Sequence, residues 1–130
     1  MFTLLKLKEA HHRVKSGADF KNYIQEIQQM GVLRFTTWTH DSHTIYEGED
    51  GYTLTSRGLY AHLEIAKVSN ADLFAQYLKS HQESKTDYIT FCKQCAETGV
   101  EKWIFDLKTM TCTYYNTIGE AMLVEHLPQA

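Results

Sequence analysis

The sequence predicts an α+β domain made of two similar helix-plus-antiparallel-meander units, and three observations carry that prediction. The chain matches itself without a gap when slid by 68 positions: Asp19 meets Asp87, Gly31 meets Gly99, Val32 meets Val100, Tyr46 meets Tyr114 and Gly51 meets Gly119. Between these identities the character is kept, with Phe20 against Tyr88, Tyr23 against Phe91, Ile24 against Cys92, Ile27 against Cys95 and Phe35 against Trp103. Matched glycines and apolar positions in register are the mark of a repeated supersecondary unit. In each half, apolar residues at helical spacing precede segments rich in Thr, Tyr, Trp, Phe, Val and Ile. Short polar connections join those segments, and strands so joined pair antiparallel, which gives α+β rather than α/β.

Each element has its own reason. Leu4, Leu7, His11 and Val14 form the stripe of a first helix, ended near Ser16-Gly17. Asp19 is a suitable N-cap for a second helix carrying Phe20, Tyr23, Ile24 and Ile27, and Gly31 closes it, because the C′ residue often needs the left-handed conformation. Strands follow at Leu33–His40, His43–Gly48 and Tyr52–Ser56. After a connecting stretch, 57–69, the order returns. A helix with Leu73, Phe74, Tyr77, Leu78 and His81 is capped by Ser69 or Asn70. The next, capped by Asp87, carries Tyr88, Phe91, Cys92 and Cys95 and ends at Gly99. Strands then run over Val100–Leu107, Thr111–Asn116 and Glu120–Leu127. The units span about 3–56 and 70–127 of one domain covering 1–130. The single proline, Pro128, breaks none of these elements.

Composition narrows the class of function. A chain of 130 residues with 43% apolar and 22% charged residues can build a core without disulfides or metal. The net charge is −3, and both halves are acidic, so there is no basic face for nucleic acid. No apolar run approaches a membrane span, and the N-terminus lacks a signal-peptide pattern. A cytoplasmic protein that binds neither nucleic acid nor membrane is the expectation.

Several strings occur in order: Lys15-Ser16-Gly17-Ala18-Asp19-Phe20, Tyr52-Thr53, Leu63-Glu64-Ile65-Ala66, Lys85-Thr86-Asp87-Tyr88, Gly99-Val100-Glu101-Lys102-Trp103 and Met110-Thr111-Cys112-Thr113-Tyr114-Tyr115. Together they resemble the YbcV-like family of small bacterial proteins, often labelled "phage envelope protein". The resemblance covers nearly the whole chain. It implies a small α+β domain and no reaction, because the family is one of unknown function. Relatives tend to carry Asp-Gly where this chain has Asp41-Ser42, and glycine suits a tight hairpin turn.

The chemistry-bearing motifs have plainer readings. Cys92-Lys93-Gln94-Cys95 has redox or zinc spacing, but it lies inside a helix where the repeat partners are Ile24 and Ile27. Cysteine there behaves as a small buried hydrophobe, and Cys112 falls on the same core face as Phe105, Leu107 and Tyr114. Of seven histidines, His40 and His43 flank a turn and are expected to face each other across a hairpin, while His62, His81 and His126 join them only through tertiary structure. No metal or other cofactor is expected. The Glu47, Glu49 and Asp50 cluster reads as a solvated turn. Neither a nucleophile elbow nor a phosphate loop is present in the sequence.

Two functions remain. The first is a non-enzymatic binding or interaction module, a homodimer or the ligand of a protein partner. With a hairpin turn at Asp41-Ser42, Phe35, Thr37, Thr44 and Tyr46 face the core, whereas Trp38, Ile45, His40 and His43 share the other face and need cover. That cover comes from a partner or from Leu59, Tyr60 and Leu63 of the connecting stretch. The alternative is an enzyme with a pocket between the two units, in which His43, Tyr46 and Tyr114 serve as acid–base or orienting groups.

Overall fold

The computed structural model describes residues 1–14, 17–83 and 85–127. Two helices, α1 (Leu4–His12) and α2 (Gly17–Gln29), precede strands β1 (Arg34–Trp38), β2 (Thr44–Glu47) and β3 (Thr53–Ser56). The same order recurs as α3 (Ala71–Gln82), α4 (Tyr88–Glu97), β4 (Lys102–Asp106), β5 (Thr111–Tyr115) and β6 (Ala121–His126). The expected α+β class is therefore present, with six strands in one antiparallel sheet.

Local chemistry sets the helix ends. Thr3, Asn70 and Asp87 accept from the N–H groups of Lys6, Leu73 and Thr90 and so cap α1, α3 and α4. Asp19 was the expected cap of α2, but that helix begins at Gly17, which puts Asp19 in its first turn, where a carboxylate still meets the positive end of the helix dipole. The expected stop of α1 at Ser16 lies outside the described residues, as does Pro128; α1 itself ends at His12. Gly31 (φ 105°) and Gly99 (φ 89°) close α2 and α4. At each, paired bonds turn the chain back: Val32 to Ile27 with Gly31 to Gln28, and Val100 to Cys95 with Gly99 to Ala96.

The sheet order is β3-β2-β1-β4-β5-β6, so the two meanders join through their first strands. At that seam Thr36 stands opposite Ile104, its own partner at the 68-residue offset, and the register reads the same from either half. The flanking bonds obey the same symmetry: Leu107 N–H to the Leu33 carbonyl and Thr39 N–H to the Glu101 carbonyl, both 2.9 Å.

Helix side chains meet one face of the sheet. Phe20 packs on Phe105 (5.6 Å between ring centroids), Phe91 on Trp103 (6.1 Å) and Phe74 on Tyr114 (4.7 Å), while Phe35 and Phe105 stack across the seam at 4.7 Å. Burying a side chain such as Phe74 contributes about 1.5–3 kcal/mol. Cys92 and Cys95 are as buried as Ile24 and Ile27, and Cys112 joins them in the core. Burial pushes all three thiols above their ordinary pKa.

The first hairpin is wider than expected. The register pairs Thr37 with Thr44 and sets Trp38 opposite His43, so the loop runs over four residues, 39–42, rather than two. The second hairpin matches it, with Asp106 opposite Thr111 and a loop over 107–110. A shift of two residues leaves every side chain on its expected face, because the pleat repeats every second residue. Hence Phe35, Thr37 and Thr44 are buried against the helices, and Trp38 and Ile45 are half-buried on the opposite face.

Candidate functional site

The corner where β1 turns into β2 gathers two histidines and an aspartate whose donor atoms lie together. Ser42 adopts φ 67°, a left-handed conformation that favours glycine, so the loop has the shape an Asp-Gly turn would take with ease. Its N–H donates to the Trp38 carbonyl at 2.8 Å, and its buried hydroxyl lies 2.6 Å from that of Tyr88. The loop is thus pinned at both edges.

Asp41 is the hub. Its Oδ1 accepts from the His43 N–H at 2.9 Å, lies 2.6 Å from His43 Nδ1 and 3.5 Å from His40 Nε2. Partial burial works to raise this carboxyl; the His43 N–H and ring, with the neighbouring imidazole charges, outweigh it and hold the group below the usual carboxylate range. One ligating atom from each of His40, Asp41 and His43 lies within 4.8 Å of the other two. The three side chains keep about a quarter to a third of their surface exposed: 36% for His40, 30% for Asp41 and 25% for His43.

The connecting stretch completes the corner. Leu59 N–H donates to the Asp41 carbonyl and Leu63 N–H to the His40 carbonyl, each at 2.7 Å, and the Tyr60 hydroxyl donates to the Thr39 carbonyl at 2.5 Å. Gly58 lies so close that a Cβ there would stand 2.8 Å from Asp41 Oδ2. These bonds bring the His62 ring to 5.3 Å from that of His40, centroid to centroid. Tyr60 and Leu63 pack against the helix-side core, and Leu59 stays exposed. The Trp38 ring instead lies parallel to that of His43 at 6.1 Å, under the Lys102 ammonium at 4.9 Å, which also faces Tyr115 at 5.6 Å.

Trp38, His43 and Ile45 therefore share the open face, and His40 joins them from the loop through Asp41 rather than across a hairpin pair. The other constellation is not assembled. Tyr46 and Tyr114 face the helices on strands separated by β1 and β4, about 14 Å apart at ordinary strand spacing, and His43 lies on the opposite side of the sheet. Two surface hollows, of ≈ 470 Å³ beside Lys8 and His12 and ≈ 320 Å³ beside Asn22 and Glu26, both lie along the first two helices. Sequence reasoning missed Asp41 as a hub, although its place between two histidines was a signal. It had none for His62, Lys102 or Tyr88.

The second half supplies an internal comparison. At the 68-residue offset, His40-Asp41-Ser42-His43 meets Lys108-Thr109-Met110-Thr111. That loop has the same register and the same left-handed residue, Met110 at φ 55°, and it is braced by the Asp106 carboxylate accepting from the N–H groups of Lys108 and Thr109. The turn thus folds without any imidazole.

No helix among the described residues is long and apolar enough to cross a membrane. No curated protein matches the chain. Residues 8–126 match the model of the family described as "Protein of unknown function (DUF1398)", and the chain belongs to that family.

Proposed function

We propose that this protein is a non-enzymatic binding module whose recognition surface is the open-face corner formed by Trp38, His40, His43 and Ile45. The observation that carries this reading is the contrast between the two first hairpins. Both build the same four-residue loop, yet only one carries two imidazoles around a carboxylate beside a half-exposed tryptophan. Side chains that the fold does without are available for recognition. Trp38 adds a large amphipathic contact, and aromatic residues of this kind dominate binding energies where they are covered. The dispersal of His43, Tyr46 and Tyr114 removes the main support for the enzyme alternative. The reading places the chain in the cytoplasm among the YbcV-like proteins, binding a second copy or another protein. Trp38→Ser tests it. Association lost in sedimentation, with near-normal thermal stability, supports the surface; a wild-type chain that stays monomeric and captures nothing from its own lysate overturns it.

A further inference from the structure

We infer that His40, Asp41 and His43 hold a divalent transition-metal ion of the zinc type, an inference that rests on the corner being the recognition surface. Two imidazoles and a carboxylate are the donors such ions prefer, and three protein ligands leave a fourth position open. The distances suit the chemistry. Metal–ligand bonds of 2.0–2.2 Å place neighbouring donors of a tetrahedron about 3.3–3.5 Å apart. His40 Nε2 and Asp41 Oδ1 already stand at 3.5 Å, and all three donor atoms fall within 4.8 Å of one another. His43 Nδ1 and Asp41 Oδ1 are closer, at 2.6 Å, a hydrogen-bond distance. A metal takes the place of the proton in that bond, and the pair opens by somewhat less than an ångström.

The donors sit on a braced frame. The His40 and Asp41 carbonyls accept from Leu63 and Leu59, the His43 carbonyl accepts from Trp38 N–H, and the His43 ring lies 6° from parallel with the indole of Trp38. The main-chain bonds hold the loop that carries the donors, and the Trp38 indole packs against one face of the His43 ring. His62 lies beside the group, 5.3 Å from His40 between ring centroids, but its donor atoms are not among those that lie together. The second half argues that this grouping is not a requirement of the turn, since Lys108, Thr109 and Thr111 occupy the corresponding places in a loop of the same register. The competing account is a hydrogen-bonded triad that holds only protons.

Calorimetric titration of the chelator-treated full chain with Zn²⁺ separates the two, with Co²⁺ absorption as the second readout. The expected result is saturable binding of one equivalent with proton release, and the intense visible band of four-coordinate cobalt. His40→Ala and His43→Ala each weaken binding at least about tenfold, whereas His12→Ala, on α1, leaves it unchanged. Thermal melts without metal check that the variants fold, and Asp41→Asn provides a near-isosteric second variant. No saturable binding, or binding indifferent to both His40→Ala and His43→Ala, overturns the inference. The two proposals fail separately: a chain that associates through Trp38 without taking up Zn²⁺ sinks only the metal site, and one that binds Zn²⁺ but associates with nothing sinks only the interaction surface.

Discussion

The hydroxyls of Ser42 and Tyr88 lie 2.6 Å apart, tying the loop between β1 and β2 to the first turn of α4 in the other half of the chain. The bond holds Ser42 in a left-handed conformation that costs a residue with a Cβ roughly 1–2 kcal/mol. Tyr88 leaves more than a third of its surface in solvent, but burial around its hydroxyl raises its pKa well above the ordinary value, so it stays a neutral hydrogen-bonding group at physiological pH.

Ser42 variants separate strain from bonding. Ser42→Ala loses the bond and keeps the strain, so it is expected to unfold about 1 kcal/mol more easily than wild type in urea. Ser42→Gly loses the bond and relieves the strain, and should exceed Ser42→Ala in stability by about 1 kcal/mol. Equal stability of the two variants would show that the loop carries no left-handed strain.

Gly58→Ala should loosen the corner. The added Cβ would stand 2.8 Å from the Asp41 carboxylate and 2.9 Å from the Asp41 carbonyl oxygen, so the connecting stretch must move away. A loss of about 1–3 kcal/mol is expected from the broken Leu59 and Leu63 bonds and local strain. Amide hydrogen exchange should show faster exchange at Leu59 and Leu63, with α2 and β4 unchanged.

Stability should fall as the solution is acidified below about pH 6.5. Burial depresses the pKa of both His11, against Tyr23, and His81, stacked on Phe91 at 4.4 Å, from the ordinary 6.5; the Thr86 carbonyl and Asp87 partly oppose the shift at His81. A depressed folded pKa means that the unfolded chain takes up the proton first. The contribution is complete above 6.5 and is lost as pH falls through the folded values. Denaturant unfolding between pH 8 and 5 checks this, and His81→Phe should flatten the curve.

The three cysteines should resist labelling until the chain unfolds. Cys92, Cys95 and Cys112 are free, fully buried and held protonated by burial, so little thiolate is exposed to a reagent. The time course of aromatic disulfide exchange should follow the unfolding equilibrium. A fast native phase from any one of them would contradict the packing. Cys95→Ser, which buries a hydroxyl where the first half has Ile27, should cost about 1–3 kcal/mol.

Much of the scaffold was legible before any tertiary structure, because it is written in short-range periodicity. Apolar residues at helical spacing placed α2 and α4, and alternation placed Phe35, Trp103, Phe105, Cys112 and Tyr114 on one face. Those faces survived a wrong loop length, since an error of two residues preserves the parity of the pleat. The candidate site was only half legible. His40, His43, Trp38 and Ile45 belong to one local hairpin, so sequence reasoning could associate them, though it paired His40 with His43 where the register pairs Trp38 with His43.

By itself the sequence determined the order of elements and the division of β1, β2, β4 and β5 into a core side and an open side, because each depends on residues a few positions apart. It determined the repeated halves through matches at one fixed offset. Tertiary structure alone decided that β1 lies beside β4, that Tyr88 reaches Ser42 and that Lys102 covers Trp38. It alone placed 57–69 so that Leu59 and Leu63 brace Asp41 and His40 and carry His62 to the corner. The physical reason is range. A hydrogen bond between residues eighteen or more apart leaves no period in the chain, and it forms only once packing has brought its two ends together.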